Sequence, residues 1–290
     1  MAQEHDEHLG APDSVEPKEE TALTPTEAVA QMRLNVPTRA NRNLRALLER
    51  ANVDTELKTW WHVANVNAVR RLEINDHSWV HVQVVANIGL KLLRQLTKHK
   101  IEPSVVRDMR MTSDDAEVIV VLGAMLHDVG MAIHRQAHED MSLFMALPKI
   151  RQLLERIYVE PEITVIAAEV LQAIISHRDS GQPLSLEAGI VRVADALDMA
   201  KGRSRIPFEH GRMSIHSLSA AAIESVSIGD GEDVPILIEI AMNNSSGIYQ
   251  VDELLKAKLR SSGLEPYVEV VARIDSREEK RLVPLYVLEV

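Results

Sequence analysis

Nine consecutive residues with no charged or hydrogen-bonding side chain, Val118 to Leu126, run directly into the pair His127-Asp128. A run of that composition predicts a helix buried on most of its sides. A carboxylate at the end of such a helix suffers a large desolvation cost unless it meets a cation or several donors. The fold must therefore bring other polar groups, or an ion, to this one point. The run is also far shorter than the roughly 20 apolar residues needed to span a bilayer, so no membrane segment is expected.

Other residues can meet that need. The chain has 12 histidines, and His77, His81, His127, His134, His138 and His177 fall in an otherwise strongly apolar stretch. A buried neutral imidazole needs partners for both ring nitrogens. A divalent cation satisfies one nitrogen, and a nearby acceptor takes the other. His81, Val85 and Gly89 recur at i, i+4 spacing, which places His81 on the core face of its helix. Asp195 sits among Val191, Val193, Ala194, Ala196 and Leu197. His81, His127, Asp128 and Asp195 together offer two nitrogens and two carboxylates from separate segments. The absence of cysteine removes disulfides, thiolate nucleophiles and thiolate metal sites, so any metal must use nitrogen and oxygen ligands. Such a set suits manganese, iron(II), cobalt, nickel or, less well, magnesium.

The 290 residues are enough for one large or two medium domains with a real core. Residues 1–35 hold most of the acidic excess together with Pro12, Pro17 and Pro25, and read as a mostly disordered tail. Residues 36–208 carry helical periodicity: Leu44, Leu47, Leu48 and Ala51; Val80 to Leu96; the run ending at Leu126; Ser142 to Tyr158; Ile163 to Ser176; and Ser185 to Ala200. Residues 209–290 change to period two, with strands at Pro235 to Met242, Tyr267 to Ile274 and Leu282 to Val290 around one helix, Val251 to Arg260. The fold class is mainly α, a helical bundle followed by a smaller α+β domain. Trp60, Trp61 and Trp79 read as core residues. The net charge of −11 gives no basic surface for counterion release, so binding to duplex nucleic acid is not expected. No basic, apolar leader opens the chain, and a cytoplasmic location is expected.

The order His81, His127-Asp128, Asp195 resembles the H…HD…D signature of the HD superfamily of metal-dependent phosphohydrolases. Asn75-Asp76-His77-Ser78, Leu126-His127-Asp128-Val129-Gly130, Ile175-Ser176-His177 and Val193-Ala194-Asp195-Ala196-Leu197-Asp198 extend the likeness over roughly residues 70–206. The run from Ala194 to Arg205, with the α+β tail, also resembles an uncharacterised group of prokaryotic HD proteins. Two-metal members of the superfamily show the order H…HD…H…H…D, and the resemblance implies His138 and His177 as the extra pair. Here His138 follows the His-Asp pair at an unusually short interval.

The resemblance implies hydrolysis of a phosphate ester or anhydride, of a nucleotide or another small molecule, by metal-activated water. Lys201, Arg203 and Arg205, just after the Asp195 helix, are placed to offset substrate charge, as are Arg135 and Arg178. His77 and Asp76 are assigned to general-acid or supporting roles, with helix capping the alternative for Asp76. Asp198 is assigned to pairing with Arg203 or Arg205 rather than to a metal. Two other classes fit the same residues: a nucleotide-sensing or oligomerisation module with a non-catalytic HD core, and a di-iron oxygenase of the myo-inositol oxygenase kind. A homo-oligomer through strands such as Pro235 to Met242 is a further expectation.

Overall fold

Apolar residues three and four apart build the first layer of the bundle. Helix α2 (Arg42–Val53) starts at Asn41, whose Oδ1 accepts from the Leu44 amide at 2.9 Å, and it buries Leu44, Leu47, Leu48 and Ala51. Helix α3 (Thr55–Asn65) follows on its Asp54 cap. The computed structural model describes residues 23–178, 180–199 and 219–274, and the backbone of residues 285–288.

Helix α6 (Ser113–Leu126) is the axis. Thr112 and Asp115 close a reciprocal cap at its start, and every residue from Val118 to Leu126 is buried. Around it pack α4 (Trp79–Lys98), α8 (Glu162–Ser176) and α9 (Leu186–Leu197), while α5 (Ser104–Met109) and α7 (His138–Leu154) flank it. The tryptophans serve the core as expected. Trp61 is buried and donates from Nε1 to the Met125 carbonyl at 2.9 Å, while Trp60 and Trp79 pack partly buried against the same cluster.

The C-terminal sheet has the order β1-β2-β3-β4, with β1 (Ile223–Gly229), β2 (Ile236–Met242), β3 (Val268–Ile274) and β4 (Leu285–Leu288). β2 and β3 run parallel, and the other two pairs are antiparallel. The parallel pair needs a crossover, supplied by a wide helical turn, Gln250–Leu255, and helix α10 (Lys256–Leu259). Ile236, Ile238, Ile240 and Met242 alternate inward along β2 and join the same apolar core as the helices. Since β2 lies between two strands, neither of its edges is open to a second subunit. Among the described residues no helix is long and apolar enough to cross a membrane.

Some boundaries differ from the sequence expectation. Pro25–Gln31 forms helix α1 on a Thr24–Glu27 capping box, and Met32, Leu34 and Val36 alternate inward after it, so residues 25–35 belong to the folded body rather than the tail. The alternation is too short to stand out beside the acidic composition. Asn52 completes the attachment, accepting from the Leu34 amide and donating to its carbonyl. Helix α7 begins four residues before the expected Ser142, because polar His138, Glu139 and Asp140 supply its first turn. β1 was not expected, because its inward residues lack period two and its register with β2 shifts between Ile223 and Ser225. Residues 1–22 and the expected boundary at 208 lie outside the described residues.

Candidate metal centre

Helix ends deliver the polar side chains. His81 lies in the first turn of α4, behind a Ser78 cap that accepts from the Val80 amide. Asp76 accepts from the Ser78 amide and hydroxyl at 3.1 and 2.8 Å, which fixes that cap. Its role is therefore the helix start. His127 and Asp128 terminate α6, His177 terminates α8, and Asp195 and Asp198 stand at the end of α9. His138 opens α7 after Ala137, which takes a left-handed φ of 56°.

Gly130 allows the close approach that brings His138 inward. A Cβ there would fall 2.0 Å from the His138 carbonyl oxygen and 2.6 Å from the Ser142 amide nitrogen. The Gly130 amide instead donates to Ser142 Oγ, which donates to the His127 carbonyl, both at 2.8 Å. The turn carrying His127-Asp128 is thereby fastened to α7.

Five imidazoles share one orientation. Nδ1 of His77 faces the Asn75 carbonyl at 2.7 Å, that of His127 the Ala124 carbonyl at 2.9 Å, that of His138 the Arg135 carbonyl at 2.9 Å, and that of His177 the Ile174 carbonyl at 2.6 Å. Nδ1 of His81 faces the Asp198 carboxylate at 2.6 Å. Carbonyl and carboxylate oxygens accept, so each Nδ1 carries a proton. In the neutral ring Nε2 is then a bare lone pair.

Those Nε2 atoms converge on Asp128. Its Oδ2 lies 3.3 Å from His127, 3.5 Å from His81 and 3.7 Å from His77, while its Oδ1 lies 3.1 Å from His138 and 3.5 Å from His177. Asp195 Oδ1 stands 3.5 Å from His81 Nε2 and 3.9 Å from His127 Nε2. His81, His127 and Asp195 thus form one group able to hold a cation, and Asp128, His138 and His177 a second, with Asp128 facing both.

The donor chemistry fits a cation on this structure's own geometry. Nε2 of His81 and of His127 are 3.2 Å apart, inside fully buried surroundings. Two lone pairs facing each other at that distance repel unless a proton or a metal lies between them. Burial pushes the Asp128 carboxyl upward, but His127, His77 and His138 outweigh it and hold the group well below its usual range. Burial likewise opposes charge on His138, yet Asp128 and Glu139 lift it to about 9. At neutral pH a proton on His138 then occupies the place where a cation can bind. His177 is pushed down, first by burial.

The HD domain family matches residues 78–200. An uncharacterised protein of Methanocaldococcus jannaschii is 42% identical over 232 residues, covering 80% of this chain and 88% of that relative. The chain belongs to the HD superfamily. Members of the HD superfamily are mostly metal-dependent hydrolases. No solved structure matches this HD protein.

The structure brings His77, His81, His127, Asp128, His138, His177 and Asp195 together around this HD centre. It separates His134, which is exposed and accepts from the Gln136 amide. Lys201, Arg203 and Arg205 lie outside the described residues. Arg135 and Arg178 are exposed, close in chain to His138 and His177, and pair with no carboxylate among the described residues. Asp198, assigned from sequence to an arginine, has a role that assignment missed, because it holds His81. Its signal was a second acid three residues after Asp195, in an equally apolar helix end.

Proposed function

We propose that the protein is a phosphohydrolase that uses divalent metal to cleave a phosphate ester or anhydride of a small molecule, a nucleotide in the first instance. The observation that carries this is the convergence of five imidazole Nε2 atoms on the Asp128 carboxylate, with the Asp195 carboxylate facing two of them. His81, His127, Asp128 and Asp195 would hold one cation, and Asp128, His138 and His177 a second, drawn from manganese, iron, cobalt, nickel, magnesium or zinc. Bound there, such ions lower the pKa of a coordinated water and polarise a phosphoryl oxygen.

The chain's own residues supply the rest. His77 presents Nε2 toward Asp128 while the Asn75 carbonyl fixes its Nδ1 proton. It is positioned to take a proton from water or return one to the leaving oxygen. Arg135 and Arg178, close in the chain to His138 and His177 and exposed, would offer guanidinium groups suited to forked contacts with phosphate. Lys201, Arg203 and Arg205, which follow the Asp195 helix in the sequence, are candidates for the same task. Asp198 keeps His81 in the tautomer whose Nε2 faces inward.

The test is phosphate release from nucleoside mono-, di- and triphosphates and cyclic nucleotides, using protein stripped of metal and reloaded with Mn2+, beside Asp128→Ala. Turnover by the reloaded protein alone is expected. Tight nucleotide binding without product would favour a sensing module. Dioxygen uptake by iron-loaded protein without phosphate release would favour an oxygenase.

A further inference from the structure

The carbonyl end of α8 is held by cations from outside the helix. Arg192, buried on α9, donates from Nη1 to the Ser176 carbonyl at 2.9 Å and also to the Arg178 carbonyl. Its Nε donates to the Lys258 carbonyl at 2.9 Å and its Nη2 to the Ala257 carbonyl at 3.3 Å. The Lys258 ammonium closes the ring by donating to the carbonyl of His177. One guanidinium therefore ties the ends of α8 and α10 together, and one ammonium from α10 grips His177 itself.

A helix's last carbonyls lack donors from their own helix and carry partial negative charge, so cations there satisfy them and fix the helix end. The His177 ring is locked to the same backbone through Nδ1 and the Ile174 carbonyl. Its Nε2 therefore follows wherever the helix end goes. The backing is rigid. A Cβ on Gly189 would fall 1.8 Å from the Ser262 carbonyl oxygen, so α9 and the turn after α10 meet with no room for a side chain.

We infer that Lys258, from the C-terminal unit beyond the 78–200 match, is a positioning residue that sets His177 as a ligand of the second cation, with Arg192 as its anchor. The α+β unit thus completes the second half of the metal centre. This inference rests on the two-cation reading of the site. Lys258 contacts neither cation, and its effect is exerted through the His177 backbone.

The experiment is Mn2+ titration of the full-length, metal-stripped protein, read as ions bound per chain and their two dissociation constants. Lys258→Met should retain the first ion with little change and bind the second about 10–100-fold more weakly, the usual consequence of losing a support behind a ligand. Lys258→Arg should restore it. If Lys258→Met does not fold, Lys258→Gln, one atom shorter and uncharged, should show the same selective loss. An unchanged second constant in a folded variant with a lowered melting temperature would overturn the inference and leave Lys258 a purely structural contact. Wild-type protein binding a single Mn2+ would instead overturn the two-cation reading, and this inference with it.

Discussion

Oδ2 of Asp198 lies 2.6 Å from Nδ1 of His81, joining the residue after α9 to the first turn of α4. The carboxylate accepts a hydrogen bond from the ring Nδ1–H, so Nε2 stays a lone pair and gains basicity. Asp198→Ala should weaken Mn2+ binding by about 10–100-fold while helix content is kept, and Asp198→Asn, which retains an acceptor, should weaken it less. Equilibrium dialysis checks this. Equal affinities for all three proteins would mean that Asp198 does not support the ligand.

Trp61 caps the end of α6 from α3, since its indole N–H takes the Met125 carbonyl two residues before His127. Trp61→Phe keeps most of the apolar volume and leaves that buried carbonyl unpaired. A loss of about 1–3 kcal/mol in urea unfolding is expected. A change of only a few tenths would show that the contact contributes little.

Gly130→Ala places a methyl group against the backbone of α7, where no side-chain rotation can relieve the collision. The expected cost is about 3 kcal/mol, the upper end for overpacking. The shift of α7 should also weaken the second cation, because His138 is its first residue. Normal stability in this variant would contradict the tight approach described for the turn.

Glu187 is buried on α9 and accepts from the Ser104 and Val105 amides at 3.2 and 3.0 Å, serving the start of α5. Burial pushes its carboxyl above the ordinary 4.5. The folded state then holds this proton more tightly than the unfolded state. The stabilisation is fully present below about 4.5 and is lost as pH rises through the raised value. Glu187→Gln removes the charge and retains an acceptor, so its stability should fall less than that of wild type over this window. Parallel urea-midpoint profiles for the two proteins would exclude this group as a source of pH dependence.

The pattern of apolar residues ending in His127-Asp128 announced the centre, because burying a carboxylate without partners is so costly that its partners had to be nearby. His81 and Asp195 could be read the same way, each being polar within an apolar helix face. His138 was harder to place, since its inward position depends on the left-handed Ala137 and the backbone approach at Gly130, which a periodicity pattern does not encode. Asp198 and Lys258 were illegible in their roles for a related reason. Each acts on a residue more than 80 positions away, His81 or His177, through a hydrogen bond set by helix packing. The strands β2 and β3 followed from alternation, whereas β1 and helix α1 carried too few inward residues to register.

The most direct measurement is the number of Mn2+ ions bound per chain by metal-stripped wild type and by Asp128→Ala, with circular dichroism confirming that both are folded. Because Oδ1 and Oδ2 of Asp128 face different ligand groups, the substitution should abolish tight binding of both ions: two per wild-type chain and none per variant chain. A variant that keeps two ions, or keeps its turnover, would contradict the account of Asp128 as the shared ligand.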